Sequence, residues 1–98
     1  MLRVYADNAA TTAMSPAAKA AMLPYFDEIY GNPSSPHSFG QAAAAALQEA
    51  RETVARCLGA KADEITFTSG GSEADNQAIL SAAAAGEKQG KRHMISTA

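Results

Sequence analysis

The chain has little cysteine and few of the large side chains that build a core. One cysteine in 98 residues excludes an intramolecular disulfide and a zinc site made of several cysteines, and it fits a reducing compartment. Although 47% of the residues are hydrophobic, 24 are alanine, and Leu, Ile, Val and Phe together number only 14. Alanine favours helix but adds little buried area. The composition therefore predicts at most one small domain with a modest core.

A strong charge of either sign and a long apolar run are also missing. The net charge of -2 provides no basic surface for nucleic acid and no polybasic patch for a membrane. The N-terminus reaches Asp7 before an apolar run of signal-peptide length forms, and the alanine runs are short and flanked by charge. We therefore expect no nucleic-acid partner, no membrane partner and a cytoplasmic location.

Two helices are indicated in the first part of the chain. Ser15 and Pro16 predict a helix start, with the serine as cap and the proline in the first turn, and the helix should run to about Leu23. A longer helix is predicted over 39–58, because apolar residues recur along one face and Gly59 follows as a stop. The turn formers between these helices predict an ordered but irregular loop.

The last third of the sequence predicts a βαβ unit and hence an α/β fold. We expect a strand over 64–68, a helix over 72–85 with Gly86 beyond it, and a second strand over 93–97. Such units belong to parallel sheets covered by helices, with ligands at the carboxyl ends of the strands.

The glycine turn inside this unit is a candidate anion site. Gly70 and Gly71 let the backbone approach a ligand closely, and the hydroxyls of Ser69 and Ser72 can bond phosphate oxygens at the start of a helix. The alternative is an ordinary turn in which Ser69 or Ser72 caps the helix. The turn matches neither the P-loop nor the dinucleotide fingerprint, so spacing alone does not decide between the two.

Three segments together resemble one family. The sequence YADNAATT at 5–12, the sequence GNPSSPHSFG at 31–40 and the sequence TSGGSEADNQAI at 68–79 are similar to signatures of the NifS/IscS-type cysteine desulfurases, in the class V aminotransferase group. The likeness covers 4–97, which corresponds to about the first quarter of such an enzyme.

The resemblance implies a partial fold-type I pyridoxal-phosphate transferase. Residues 1–12 would belong to the small domain, and 13–98 would begin the large cofactor-binding domain. Gly71 and Ser72 would hold the phosphate of pyridoxal 5'-phosphate. Many relatives have Ala-Thr at these two positions, and Gly-Ser keeps the same amide and hydroxyl donors. The lysine that carries the cofactor and the nucleophilic cysteine would lie beyond this chain, so we expect no catalytic residue and no metal ligand here.

Three further residues are candidates for the substrate side by the same resemblance. Asn8 and Thr11 lie in the first signature, although such side chains also stabilise turns by bonding nearby backbone. His37 lies in a segment similar to one near the active-site entrance of dimeric relatives, where a substrate or subunit-interface role stands beside simple loop stabilisation.

Other reactive side chains are interpreted as structural. Cys57 falls on the apolar face of the 39–58 helix, where a thiol is usually buried and inert. His93 is expected to open a strand. Glu73 and Asp75 are favoured near a helix start by the peptide dipoles, although both would oppose a bound phosphate. Asn76 is expected to pack or to form hydrogen bonds.

The function expected from the resemblance belongs to a longer protein. That protein would convert L-cysteine to L-alanine and pass sulfur as a persulfide to an acceptor or scaffold protein, for iron-sulfur cluster or thiolation pathways, as a homodimer. These residues alone should be inactive. The alternatives are a non-catalytic fragment that binds phosphate-containing ligands or docks to another chain, and another class V enzyme such as a selenocysteine lyase or an aminotransferase.

Overall fold

The computed structural model of the chain describes residues 1–97, and the regular elements in this range are helical. The α-helices are α1 (Pro16–Met22), α2 (Pro24–Asp27), α3 (Ser38–Leu58) and α4 (Gly71–Lys88), and a 3-10 turn spans Ala62–Glu64. The chain divides into two compact units, the first of which is Met1–Ala62, while the second begins at Asp63. Helix α4 lies in the second unit, and α1 to α3 lie in the first.

The first predicted helix is confirmed, together with its cap. Ser15 has extended backbone angles, and its hydroxyl oxygen accepts a hydrogen bond from the amide of Ala18 at 3.1 Å. Pro16 occupies the first turn, where a missing N–H has no cost. The helix ends at Met22, and α2 begins at Pro24, because proline removes the amide that would continue the first helix.

Helix α3 confirms the second helix prediction to within one residue at its start. It ends where Gly59 adopts a left-handed conformation, with φ of 67°. The Gly59 amide donates to the carbonyl groups of Ala55 and Arg56, which have no partners further along the helix. Glycine favours this position because it has no Cβ to oppose a positive φ.

The predicted βαβ unit is not shown by the part of the chain that the structure describes. Residues 65–68 and 93–97 are not strands. Residue 64, the first of the expected strand at 64–68, belongs to the 3-10 turn. The pattern of residues was suitable for strands, but a strand also needs a neighbour that supplies ladder hydrogen bonds. No strand is found within residues 1–97, where helices and irregular segments stand in place of the expected α/β arrangement.

Helix α4 also runs further than the sequence predicted. Gly86 was expected to follow the helix, but it lies inside α4, and its carbonyl oxygen accepts from the amides of Gln89 at 2.9 Å and Lys91 at 2.8 Å. The left-handed glycine is instead Gly90, with φ of 73°. Either glycine could end the helix locally, and the second one does so.

The modest core that composition predicted is confirmed among the described residues. Their only buried hydrophobic residues are Ala43 and Ala55, at 7% and 3% exposure. On the same helix Leu58 is 70% exposed. Cys57 is exposed as well, so its expected burial is wrong. The periodicity of α3 identified an apolar face correctly, but periodicity does not say whether anything covers that face.

No helix in the described range is both long enough and apolar enough to cross a membrane.

Candidate functional site

The candidate anion site is the turn that leads into α4. Gly70 occupies the N-cap position and makes no side-chain cap, and the helix begins at Gly71. The amides of Gly71, Ser72 and Glu73 have no acceptor within an α-helix, because their partners would precede its first residue. The hydrogen bonds found among residues 1–97 give these amides no other acceptor. The helix start therefore presents a set of unused donors.

Neither glycine of the turn is required by the packing of the chain. A Cβ added at Gly70 or at Gly71 would meet no atom within 4 Å. Neither residue has the left-handed backbone conformation that favours glycine, and Gly70 is extended at φ 167° and ψ -179°. The turn is therefore open on the side that these two missing side chains would occupy.

The two serines of the turn have different partners. Glu73 Oε2 accepts from the Ser69 amide at 2.8 Å and from the Ser69 hydroxyl at 2.5 Å. Ser72 is exposed, and its hydroxyl has no hydrogen bond among the described residues. The expectation that Ser69 or Ser72 caps the helix is therefore wrong, because Gly70 holds the cap position and Ser69 acts as a donor to Glu73.

These bonds affect the charge of Glu73. The Ser69 hydroxyl and, to a lesser degree, the Ser69 amide hold the pKa of Glu73 below its ordinary value. Donors stabilise a carboxylate in its ionised form, so this group carries a negative charge at neutral pH. The charge lies in the first turn of α4, where the peptide dipoles favour it.

Three further bonds hold the backbone of the turn. The carbonyl oxygen of Gly70 accepts from the hydroxyl of Thr68 at 3.0 Å and from the amide of Ala74 at 3.1 Å. Asn76 Nδ2 donates to the carbonyl oxygen of Ser72 at 2.8 Å, which confirms the expectation that Asn76 forms hydrogen bonds. The turn is thus fixed by bonds from the residues before it and from the helix after it.

The donors that remain fit a phosphate group. Three backbone amides and the Ser72 hydroxyl converge on one helix end, and anions bind such ends through the unpaired N–H groups and the dipole. The Glu73 carboxylate opposes an anion by its charge, but its bonds to Ser69 direct it to the residue before the turn. An open cleft of about 300 Å³ lies on α4 between Thr66, Thr68, Gln77 and Ser81, and its lining does not include Gly71 or Ser72. The fit to phosphate therefore rests on the turn itself.

The first signature folds into a local turn. The carbonyl oxygen of Asp7 accepts from the amides of Ala10 at 3.1 Å and Thr11 at 3.3 Å. The hydroxyl groups of Tyr5 and Thr11 are 2.6 Å apart and share a hydrogen bond. Asn8 is exposed, and its side chain forms no hydrogen bond within residues 1–97. Thr11 therefore has a partner of its own, whereas Asn8 is open to contact.

His37 caps helix α3. Its Nδ1 accepts from the amide of Gly40 at 3.3 Å, so in this geometry the ring proton is on Nε2. The ring meets Phe39 edge-on, with centroids 6.3 Å apart. The loop-stabilising interpretation of His37 is thereby confirmed, and the substrate-side interpretation stays a prediction.

The loop before this cap is tightly packed. Asn32 anchors it, because its side-chain oxygen accepts from the Ser34 amide and its carbonyl oxygen accepts from the Ser35 amide, both at 2.9 Å. A Cβ on Gly31 would collide with the carbonyl oxygen of Phe39, and one on Gly40 would collide with that of Ser35. The prediction of an ordered but irregular loop is confirmed.

The candidate residues thus fall into separate local groups. Asn8, Thr11 and His37 belong to the first unit, and Gly71 and Ser72 belong to the second. Adjacent positions bring Gly71 and Ser72 together at one helix end, while Thr11 and His37 each bond a neighbour in sequence. Within residues 1–97, no cluster of three or more His, Cys, Asp and Glu side chains could hold a metal ion.

Sequence reasoning missed three interactions near these candidates. They are the bond of Tyr5 to Thr11, the cap that His37 forms on α3, and the pairing of Glu73 with Ser69. A capping-box signal did not exist for the last of these, because the hydroxyl residue of a capping box lies three positions before the glutamate, whereas Ser69 lies four positions before Glu73.

Comparison with known proteins identifies the family. The family model for aminotransferase class-V matches residues 4–98, so the chain belongs to this family. Family membership implies the fold type I of pyridoxal-phosphate enzymes.

Several of the curated proteins that this chain resembles are named cysteine desulfurases. The chain is 58% identical over 86 residues to "Cysteine desulfurase" of Cereibacter sphaeroides, covering 87% of this chain and 22% of that protein. It is 49% identical over 94 residues to "Cysteine desulfurase IscS" of Dictyoglomus turgidum, covering 96% and 24%. It is 52% identical over 94 residues to "Cysteine desulfurase 2" of Trichormus variabilis, covering 96% and 23%. The chain thus spans less than a quarter of the length of these relatives. No solved structure matches it.

Proposed function

We propose that this chain is the N-terminal portion of a pyridoxal-phosphate-dependent cysteine desulfurase and supplies the phosphate anchor of its cofactor site. The observation that carries the proposal is the identity of about half or more with named cysteine desulfurases over nearly the whole chain. The protein to which it belongs converts L-cysteine to L-alanine and transfers the sulfur, as a persulfide, to an acceptor or scaffold protein for iron-sulfur cluster or thiolation pathways.

The roles within this chain follow from the available donors. The amides of Gly71 and Ser72 and the hydroxyl of Ser72 hold the cofactor phosphate, since they have no other partner among residues 1–97. When bound, pyridoxal phosphate draws electrons away from the bonds at the substrate's α-carbon. These residues contribute binding and orientation to that chemistry.

The residues of the substrate side are proposed with unequal support. Asn8 is exposed, and its amide group is open to a substrate or to another segment. Thr11 and His37 can take part only with the bonding capacity that Tyr5 and Gly40 leave unused, namely the remaining donor or acceptor sites of the Thr11 hydroxyl and Nε2 of His37.

We infer that these residues alone do not catalyse the reaction. Lysines 19, 61, 88 and 91 are all exposed, and Cys57 is on a helix and not on a loop. We place residues 1–12 in the small domain and 13–98 in the large domain of a homodimeric, cytoplasmic enzyme.

Substitution of Ser72 tests the anchor directly. The probe is pyridoxine 5'-phosphate, which carries the phosphate and lacks the aldehyde that reacts with surface lysines, and pyridoxine is its phosphate-free counterpart. Ser72→Ala should weaken binding of the phosphate ester by about tenfold, since a hydrogen bond to a charged group is worth about 1.5 kcal/mol or more. Binding of pyridoxine should not change.

Ser81→Ala is the matched control, because Ser81 is also exposed on α4 but lies away from the helix start. Isothermal titration calorimetry measures the affinity of wild type, Ser72→Ala and Ser81→Ala for the phosphate ester and for pyridoxine. Equal affinity of wild type and Ser72→Ala for the phosphate ester would refute the anchor assignment.

A further inference from the structure

We propose that Glu73 is a positioning residue of the phosphate anchor: it binds the amide and the hydroxyl of Ser69 so that the donors of Gly71 and Ser72 are held ready for an anion. This inference rests on the proposed function, since it concerns the same anchor. It assigns a role to a residue that, by its charge alone, would be expected only to oppose a phosphate.

The geometry of the turn supports this role. A single oxygen, Glu73 Oε2, accepts both donors of Ser69, at 2.8 Å from nitrogen and 2.5 Å from oxygen. On the other side of the turn, the carbonyl oxygen of Gly70 is held by Thr68 and Ala74. The backbone on both sides of Gly70 is therefore fixed by side-chain bonds.

This fixation matters because the turn itself has few other restraints. Gly70 and Gly71 have no Cβ, and no atom lies within 4 Å of the place where one would be. Glycine loses more conformational freedom on ordering than any other residue, so an unrestrained Gly-Gly turn would bind an anion at a large entropic cost. Ordering the turn before the anion arrives removes part of that cost.

The pairing also settles which serine serves the anion. Ser69 donates its only hydroxyl proton to Glu73, and Ser72 keeps its own. Glu73 therefore gives the two hydroxyl groups different roles. The hydroxyl of Ser69 stabilises the turn, and the hydroxyl of Ser72 stays available to the ligand.

Repulsion of phosphate and positioning of the turn predict opposite effects of replacing Glu73. Binding measurements can therefore distinguish the two roles. If the carboxylate only repels phosphate, both Glu73→Ala and Glu73→Gln should tighten binding of pyridoxine 5'-phosphate. If it positions the turn, Glu73→Ala should weaken binding several-fold, while Glu73→Gln should retain most of the affinity, because its amide oxygen still accepts from Ser69. Rescue by glutamine is the expected result.

Asp75→Asn is the matched control for charge. Asp75 lies two residues further along the same helix, is exposed and forms no hydrogen bond with Ser69. Its substitution removes one negative charge near the anchor and should leave affinity unchanged or raise it slightly. Binding by Glu73→Ala that equals or exceeds that of wild type would overturn the positioning role.

A second readout separates this inference from the proposed function. In a two-dimensional nuclear magnetic resonance spectrum, the Ser69 amide signal should shift strongly in Glu73→Ala, slightly in Glu73→Gln and little in Asp75→Asn. An unmoved signal would overturn the inference even if the anchor binds phosphate. If the Ser69 signal shifts in Glu73→Ala but the wild-type protein binds pyridoxine and its phosphate equally, the proposed function is refuted. The pairing of Glu73 with Ser69 is then only a helix cap.

Discussion

The two glycine-containing segments that lead into long helices differ in what surrounds them. At the start of α3, a side chain at Gly31 in the preceding loop or at Gly40 in the first helical turn would collide with backbone carbonyl oxygens. In the turn before α4, side chains at Gly70 and Gly71 would meet nothing within 4 Å. Both segments lie within the range that matches the aminotransferase class-V family model, yet their glycines differ in what surrounds them.

The comparison shows how to distinguish a glycine kept for packing from one that is open to a ligand. At Gly40, which is buried, the chain itself uses the space that a side chain would take. At Gly71, the space is empty, and the amide beside it has no acceptor within residues 1–97. The glycines of the first segment serve its own packing, whereas the second segment keeps amide donors that bond no other described residue.

The largest effect should come from adding a methyl group at the packed position. Gly40→Ala places a Cβ against the carbonyl oxygens of Ser35 and Asn32, the latter 2.7 Å away, so the loop must shift. We expect a loss of about 3 kcal/mol in the free energy of unfolding, the upper end of the usual cost of overpacking. Urea unfolding followed by far-ultraviolet circular dichroism measures the change.

Gly71→Ala is the control for this substitution. It adds the same methyl group within the first turn of the other helix, where nothing is displaced, and should leave stability unchanged or raise it by less than about 1 kcal/mol. Equal destabilisation by Gly40→Ala and Gly71→Ala would show that the two segments do not differ in how tightly their glycines are packed.

A smaller effect is expected from loss of the cap in the packed loop. His37→Ala removes the acceptor of the Gly40 amide and should cost about 1 kcal/mol, as is typical for loss of an N-cap. His37→Asn should restore most of this, because asparagine is a favoured cap. Thermal unfolding of the three proteins provides the test, and a stability of His37→Asn no higher than that of His37→Ala would contradict the capping role.

The smallest effect concerns pH and the open turn. The bonds from Ser69 lower the pKa of Glu73 in the folded state from the ordinary 4.5, so these bonds add stability above pH 4.5 and lose it as the pH falls through the lowered value. Because Glu73 is fully exposed, the loss on acidification should be slight.

Glu73→Gln should remove this acid dependence without removing the acceptor. The test is to measure the thermal unfolding midpoints of wild type, Glu73→Gln and Asp75→Asn between neutral pH and pH 3. The midpoint of Glu73→Gln should fall less on acidification than that of wild type. If the wild-type and Glu73→Gln midpoints fall in parallel below pH 4.5, the link between Glu73 and Ser69 is absent in solution.

The helices could be predicted from sequence because their signals are local. Ser15 with Pro16 and the glycine at 59 specify a start and an end through bonds to residues three or four positions away. The phosphate anchor could likewise be proposed from Gly71 and Ser72, since its donors belong to adjacent residues. The cap by His37 was not predicted, because histidine is an uncommon cap and its role depends on how the ring is turned.

The remaining features depend on what lies against them. Strands at 64–68 and 93–97 need partners that a residue pattern does not supply, and the described residues form no ladder there. Burial of Cys57 needs a surface that covers the end of α3, and periodicity cannot provide one. The end of α4 was predicted too early, at about residue 85 and not at Lys88, because Gly86 and Gly90 are both acceptable stops.

The tightly packed loop before α3 also has a consequence for the order of folding. Its restraints join Gly31 to Phe39, Asn32 to Ser34 and Ser35, and His37 to Gly40, so every one closes a short stretch of chain. Closing short loops costs little entropy, and contacts between residues near in sequence form fastest. We therefore expect this segment to nucleate α3 from its N-terminal end, while the chain is still largely unfolded elsewhere.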